Sequence, residues 1–350
     1  MRDLNGLPVL VHQSQHAAKP EGEMTESICV IGLGLMGRPI ARTLQAAGLQ
    51  ISGWNRSPLP ANLIAGLPLR RTLDEAARST VLILSLTDSA AVDEVLARLQ
   101  PHLRSGHLVI DMGTSDPSRS RDHAARLAAR GIAWVDAPVS GGPEGAAKGS
   151  LAIMAGGSEV DVARARPILE ELGRVVRVGE AGTGNMMKIV NQVIVGLTLE
   201  TVAEALTLAE KIGLSPRAVR TAVAGGFADS KILQIHGERM IARAYIPGGR
   251  VRSQLKDLLL AQTLASRASA YLPHLQSTIK LYRTLVTRGE GDLDHSAVHK
   301  LLWEAGPGAR RRATNRVATT RPAAKNKPVK AKATTKKRRA ARSRGRPSKT

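Results

Sequence analysis

Gly32-Leu33-Gly34-Leu35-Met36-Gly37 lies between a short apolar run, Ser27–Ile31, and a helix-like segment, Arg38–Ala47. Three glycines at this spacing, after a strand and before a helix, make a phosphate-binding turn. Gly32 permits a tight turn, and Gly34 lets the backbone approach a pyrophosphate. Gly37 allows close helix–strand packing, and the helix N-terminus faces the anion. The expected ligand is a dinucleotide.

The next β-like run ends in Trp54-Asn55-Arg56-Ser57. An NAD site usually places Asp or Glu roughly 20 residues after the glycines, to accept from the ribose 2′-OH. Asn55 stands there instead, followed by Arg56 and Ser57. A carboxylate would repel a 2′-phosphate, whereas arginine holds one bidentately and serine donates to it. NADP(H) is therefore preferred, with NAD(H) as the alternative.

These groups need a scaffold, and the pattern specifies one. Strand-like runs occur at Ile28–Gly32, Gln50–Trp54, Val81–Leu86, Leu108–Met112 and Ile132–Asp136, then at Leu151–Ala155 and Arg174–Val178. Helical stretches such as Ala90–Leu99 and Ser118–Ala129 separate the early ones. Alternating βαβ units give a mainly parallel sheet covered by helices. After Gly182 the character changes to one long helical pattern, Asn185–Ile212, then four or five further helices to about Trp303 with no credible strand. Apolar residues occur on more than one face of the long helix (Met186, Ile189, Val190, Val193, Leu197), which predicts a helix buried in the body of the protein. The fold class is an α/β Rossmann-like NADP-binding domain, a long helix, an all-α C-terminal domain and a disordered basic tail. The expected boundaries are a 1–26 extension, 27–181, 182–306 and 307–350. Met24, just before the first strand, is a candidate true start.

Four ordered motifs carry a family resemblance: the glycine loop, Asp136-Ala137-Pro138-Val139-Ser140-Gly141-Gly142, Gly182-Thr183-Gly184 leading to Lys188-Ile189-Val190-Asn191-Gln192, and Lys256-Asp257-Leu258. Over about residues 27–303 the chain resembles the β-hydroxyacid dehydrogenases, which include 3-hydroxyisobutyrate dehydrogenase, tartronate semialdehyde reductase and 6-phosphogluconate dehydrogenase. The resemblance implies that Lys188 is the catalytic lysine and that Ser140, Gly141 and Gly142 bind substrate. Asn191 and Gln192 supply polar groups to the substrate, and the Asn-Gln pair looks more like the tartronate semialdehyde reductases. Thr114, Lys256, Leu86 and Thr87 line the cofactor, beside Gly32, Leu33, Gly34, Leu35, Met36, Gly37, Asn55, Arg56 and Ser57.

The residue types suit that chemistry. A lysine ammonium donates a proton to a developing alkoxide, and in reverse the neutral amine is the base. Lys188 and Asn191 are three apart on a helix and can face one cleft. The apolar neighbours Met186, Met187, Ile189 and Val190 predict an apolar setting for the lysine. The small Ser140-Gly141-Gly142 turn suits a carboxylate. The expected reaction is NADPH-dependent reduction of a small carboxylate-bearing semialdehyde like 2-hydroxy-3-oxopropionate. The alternatives are 3-hydroxyisobutyrate dehydrogenase, or a DNA-associated protein using a dehydrogenase body as a binding module. Two departures affect the substrate pocket: Gly113 where the family commonly has Ser, and Pro247-Gly248-Gly249-Arg250 where an aromatic often follows Pro-Gly. Imine reductases of this fold usually replace the lysine, so Lys188 argues against that branch. The family also implies a homodimer or homotetramer.

The 350 residues carry a net charge of +22 and are 43% hydrophobic, which excludes wholesale disorder. The charge is uneven: residues 307–350 hold 17 Lys+Arg and no acid. Arg344-Gly345-Arg346-Pro347 looks like an AT-hook, in which an extended Arg-Gly-Arg lies in a narrow minor groove. The tail also resembles histone H1-like bacterial C-termini and predicts salt-dependent, largely non-specific DNA binding. Cys29 is the sole cysteine, so an intrachain disulfide scaffold is excluded. The histidines are scattered without a ligand cluster, and no metal is expected. With no apolar run near the ~18 residues of a membrane span, the expected location is cytoplasmic, with nucleoid association through the tail.

Overall fold

In the computed structural model, residues 26–305 are described. The Met24 start and the basic tail with Arg344, Gly345, Arg346 and Pro347 lie outside them.

The N-terminal half runs β1 (Ile28–Ile31), α1 (Gly37–Ala46), β2 (Ile51–Trp54), α2 (Ala61–Ile64), α3 (Leu73–Ala76), β3 (Val81–Leu84) and α4 (Ser89–Leu99). It continues with β4 (Leu108–Asp111), α5 (Pro117–Ala128), β5 (Ala133–Asp136), β6 (Val139–Ser140), α6 (Gly142–Ala147), β7 (Leu151–Gly156), α7 (Glu159–Glu170) and β8 (Gly173–Gly179). These strands form one eight-stranded sheet in the order β2-β1-β3-β4-β5-β7-β6, with β8 also on β7. The first five are parallel, and the pairs β5–β7 and β6–β7 are antiparallel.

Strand side chains alternate between two cores. Ile28, Val30 and Ile83 pack with α1 and α7 on one face. Cys29, Ile31, Leu82 and Leu84 pack with α4 on the other. A parallel sheet buried on both faces reads as continuous apolar runs, which is why the strands were legible. Two-residue β6 gives no such run.

The second half is α-helical: α8 (Thr183–Lys211), α9 (Pro216–Ala222), α10 (Lys231–Ala242), α11 (Val251–Arg267), α12 (Pro273–Thr287), a 3₁₀ turn at His295–Ala297, and α13 (Val298–Glu304). Their buried apolar residues form a third core around Leu199, Ala203, Leu206 and Tyr282. α8 is long and apolar enough to cross a membrane, yet it packs against α10, α11, α12, α13 and β7 as the central helix. The expected burial of α8 in the body of the protein holds for part of its surface: Val190 is 56% and Ile194 63% exposed, and Met186 and Met187 are exposed beside them. Lys188, Ile189 and Gln192 face inward.

α8 lacks a side-chain cap of its own. Asp136, at the end of β5, supplies one from another element. Its Oδ1 accepts from the Gly182 amide (2.7 Å) and its Oδ2 from the Asn185 amide (2.8 Å). The approach leaves no room for a side chain, since a Cβ on Gly184 would lie 2.3 Å from the Asp136 carbonyl oxygen. Asp136→Ala should cost about 3 kcal/mol in urea unfolding, because two buried amides lose their acceptor. A loss below about 1 kcal/mol would contradict the capping role.

Candidate functional site

The glycine loop joins β1 to α1. Gly32 has φ +94, and a Cβ there would lie 2.4 Å from the Ser85 carbonyl oxygen. A Cβ on Gly37 would lie 1.8 Å from the Gly32 carbonyl oxygen, whereas Gly34 faces open space. The expected division of labour holds: two glycines close the turn and the middle one leaves an approach free. The chain therefore fits a dinucleotide phosphate at this turn. Leu35 and Met36 complete it at the start of α1.

Asn55 bonds both loops it lies between. Its Oδ1 accepts from the Leu33 amide at 2.9 Å, and its Nδ2 donates to the Ser57 carbonyl at 2.7 Å. It ties the loop after β2 to the glycine loop. Arg56 is 73% exposed, with Glu94 at 3.4 Å, so it can swing to a ligand, and Ser57 is exposed next to it. Leu86 sits between the two strand-end loops: its Cδ2 is 3.0 Å from a Cβ placed on Gly32, and its carbonyl oxygen 3.0 Å from one on Gly113. That second contact gives the physical reason for glycine at 113. Thr87 is exposed at the loop tip.

Lys188 lies one helical turn beyond Gly184 and is 7% exposed. Its Nζ donates to Gln192 Oε1 at 2.8 Å, and Asn191 Nδ2 donates to the same oxygen at 3.2 Å. Gln192 Nε2 in turn donates to Asp257 Oδ2 at 2.6 Å and to Gln254 Oε1 at 3.2 Å. The Gln192 amide orientation is thus dictated by a carboxylate on α11. Asp257 also contacts Lys256 Nζ at 3.1 Å, and Lys256 donates to the Thr114 carbonyl oxygen. The loop after β4, the start of α8 and α11 are thereby joined. Ser115 strengthens the junction: its amide donates to Asn185 Oδ1 at 2.7 Å and its hydroxyl to Asp111 Oδ2 at 2.9 Å.

Burial pushes the Lys188 ammonium down to about 8; Asp257 opposes this and Lys256 adds to it. Of the four apolar neighbours Met186, Met187, Ile189 and Val190, Ile189 is buried with the lysine and the other three are exposed, so the expected apolar setting holds only in part. Adjacent positions on a helix do not share a face. The polar partner of Lys188 is Gln192, which is bonded in turn to Gln254 and Asp257. Burial likewise raises the Asp136 carboxyl to about 7 despite its amide donors.

Gly141 (φ +136) and Gly142 (φ +67) both occupy backbone open to glycine, which accounts for the paired glycines after Ser140. At the second departure, a Cβ on Gly249 would lie 3.1 Å from the His295 ring. The imidazole occupies the place where another side chain would grow. His236, Asp294 and His295 offer ligand atoms within 4.8 Å, a cluster hidden in the sequence. Asp294 is already committed, however, to Ser296, Arg239 and the amides of Gly248 and Gly249. Those donors make it a structural hub of the helical half.

Gln254 and His295 have no sequence signal, because only the fold brings Gln254 to Gln192 and the His295 ring to Gln254. Asp136 and Asp257 lay within quoted motifs, and their carboxylates were the available signal.

A family model for the NAD binding domain of 6-phosphogluconate dehydrogenase matches residues 27–183. A second, described as NAD-binding of NADP-dependent 3-hydroxyisobutyrate dehydrogenase, matches residues 182–302. The chain is 38% identical over 280 residues to the 2-hydroxy-3-oxopropionate reductase of Escherichia coli (strain K12), covering 78% of this chain and 95% of that one. Among solved structures, the 3-hydroxyisobutyrate dehydrogenase of Salmonella typhimurium superposes with a TM-score of 0.73 at 29% identity, over 79% of this chain and 99% of that one. The Mycobacterium tuberculosis 3-hydroxyisobutyrate dehydrogenase with L-serine gives 0.70 at 30% identity, over 80% and 99%. With the fold, glycine turn and lysine-bearing helix in agreement, the chain belongs to the β-hydroxyacid dehydrogenase family, NAD(P)-dependent oxidoreductases acting on CH–OH donors.

Proposed function

We propose that the protein reduces a small carboxylate-bearing semialdehyde, most like 2-hydroxy-3-oxopropionate, with NADPH, and that Lys188 is the proton donor. The buried Lys188 Nζ, held by Gln192 and reached by no competing carboxylate hydrogen bond, carries the reading. Similarity to the 2-hydroxy-3-oxopropionate reductase of Escherichia coli supports the substrate class.

The glycine turn and Arg56 would hold the cofactor, which when bound supplies the hydride for the carbonyl carbon. As that bond forms, the carbonyl π pair moves to oxygen. Lys188 gives this oxygen a proton and becomes the neutral amine. Ser140, Gly141 and Gly142 hold the substrate carboxylate, and Asn191 orients the carbonyl beside Lys188. Lys256 braces the Thr114 loop against the helical half. In the oxidative direction the neutral amine takes the hydroxyl proton.

Lys188→Ala should lower kcat at least about a hundredfold while NADPH binding, read by fluorescence, persists. Near-normal turnover would refute the assignment. With the ammonium near 8, reduction needs the protonated form, so its kcat/KM should fall as pH rises through about 8. Oxidation needs the amine and should rise over the same range. A panel of semialdehydes decides between 2-hydroxy-3-oxopropionate and the 3-hydroxyisobutyrate alternative.

For the cofactor, Arg56→Ala should raise the KM for NADPH about tenfold, the size of one lost charge-assisted contact, and leave NADH unaffected. Equal or better kcat/KM with NADH in the wild type would overturn the preference.

A second reading concerns the tail, favoured by its 17 Lys+Arg without an acid. We propose that it tethers the enzyme to DNA through phosphate contacts, which are salt-dependent. Deleting 307–350 should abolish DNA retention at moderate salt and leave kcat/KM unchanged. Light scattering should give both proteins the same number of subunits, two or four, because the exposed face of Met187, Val190 and Ile194, not the tail, is proposed to meet a second copy. Equal DNA retention by the truncated protein would refute the tether.

A further inference from the structure

Arg239, on α10, makes contacts in two directions. Its Nη1 donates to Asp294 Oδ2 at 2.9 Å, and its Nη2 to Glu144 Oε1 at 2.6 Å. The Asp294 side chain is fully buried, that of Arg239 is 20% exposed, and that of Glu144 60% exposed. The inner end is therefore fixed and the outer end reaches the surface. Asp294 holds its place through Ser296 and the amides of Gly248 and Gly249. Gly248 completes the socket: a Cβ there would lie 2.8 Å from Arg239 Nη1. A planar guanidinium can bond two carboxylates at once in this way.

Glu144 is in the first turn of α6, two residues after Gly142. Its Oε2 lies 3.2 Å from where a Gly142 Cβ would be, so the side chain folds back over the Ser140-Gly141-Gly142 turn. That turn has positive φ at both glycines, neither of which has a side chain to anchor it, whereas Ser140 before them pairs with Ala152 of β7. On its other flank, Thr43 of α1 donates to the Ala146 carbonyl at 2.8 Å. Arg239 is thus the tie from α6 to the helical half that carries Lys188.

We infer that Arg239 is a positioning residue: anchored on Asp294, it acts through Glu144 to set the Ser140–Gly142 turn at its working distance from Lys188. The inference rests on the reading that this turn holds the substrate carboxylate. Arg239 does not itself touch the reacting atoms. Its effect belongs to substrate binding rather than to proton transfer.

A tether and simple charge neutralisation predict opposite outcomes. If Arg239 only cancelled the repulsion of an anionic substrate by Glu144, removing the carboxylate would lower KM. If the pair is a tether, Glu144→Gln should raise KM for 2-hydroxy-3-oxopropionate about fivefold and leave kcat within about twofold, the modest size expected of a part-exposed pair. Arg239→Lys, a point charge without the fork, should raise KM similarly, and the double variant should be no worse than the worse single one. Amide hydrogen exchange over Gly142–Ala147 should quicken in Glu144→Gln while exchange in α8 does not. An unchanged or lower KM in Glu144→Gln, or unchanged exchange in that segment, would overturn the inference. If the wild-type enzyme turns over no semialdehyde, the proposed function fails, and the exchange rates by themselves decide whether the tie holds the turn.

Discussion

The start of α8 is held by a carboxylate that belongs to the sheet. A helix begins with unpaired amides, and α8 begins with glycine at both Gly182 and Gly184, offering no side chain to satisfy them. Asp136 takes the Gly182 and Asn185 amides from the end of β5. The same Asn185 accepts from Ser115, whose hydroxyl bonds Asp111 at the end of β4. Two adjacent strand ends therefore set both the origin and the direction of the helix. Lys188 comes one turn later, so its height over the strand ends follows from that capping.

The polar interior of the helical half follows from the same geometry. A buried lysine requires partners, since an isolated buried charge is costly. Gln192 passes the requirement on to Asp257, and Gln254 shares it. The network is directional: each amide has its oxygen toward a donor and its nitrogen toward an acceptor. Lys188 is left with a carbonyl oxygen rather than a carboxylate as its immediate partner. A direct carboxylate would favour the charged form more strongly, whereas burial beside an amide lets the ammonium fall to about 8.

Much of this was legible from one chain. The parallel strands are apolar on both faces, so their runs stand out, and every observed strand start except that of β6 falls within one residue of its expected place. The glycine turn was legible because its three positions need backbone freedom, free approach or zero side-chain volume, all properties of residue type. The covered face of α8 is not legible in the same way. Its apolar residues at Met187, Val190 and Ile194 have core chemistry but face outward, and composition does not say which face of an apolar helix is covered. The setting of Lys188 is mixed for the same reason: Ile189 beside it is buried and Met187 exposed, while its ammonium bonds the Gln192 amide.

The amino-acid sequence by itself determined the βαβ scaffold, the dinucleotide turn, the candidate lysine and the separation of a strongly basic segment from a nearly balanced body. Those are properties of local spacing and residue type. Only the tertiary structure decided that Asp136 caps a helix 46 residues away, that Asp257 orients Gln192, and that Arg239 spans 95 residues to reach Glu144. Such contacts depend on how distant segments of the chain pack, and a hydrogen bond acts over about 3 Å of space regardless of the chain between its partners.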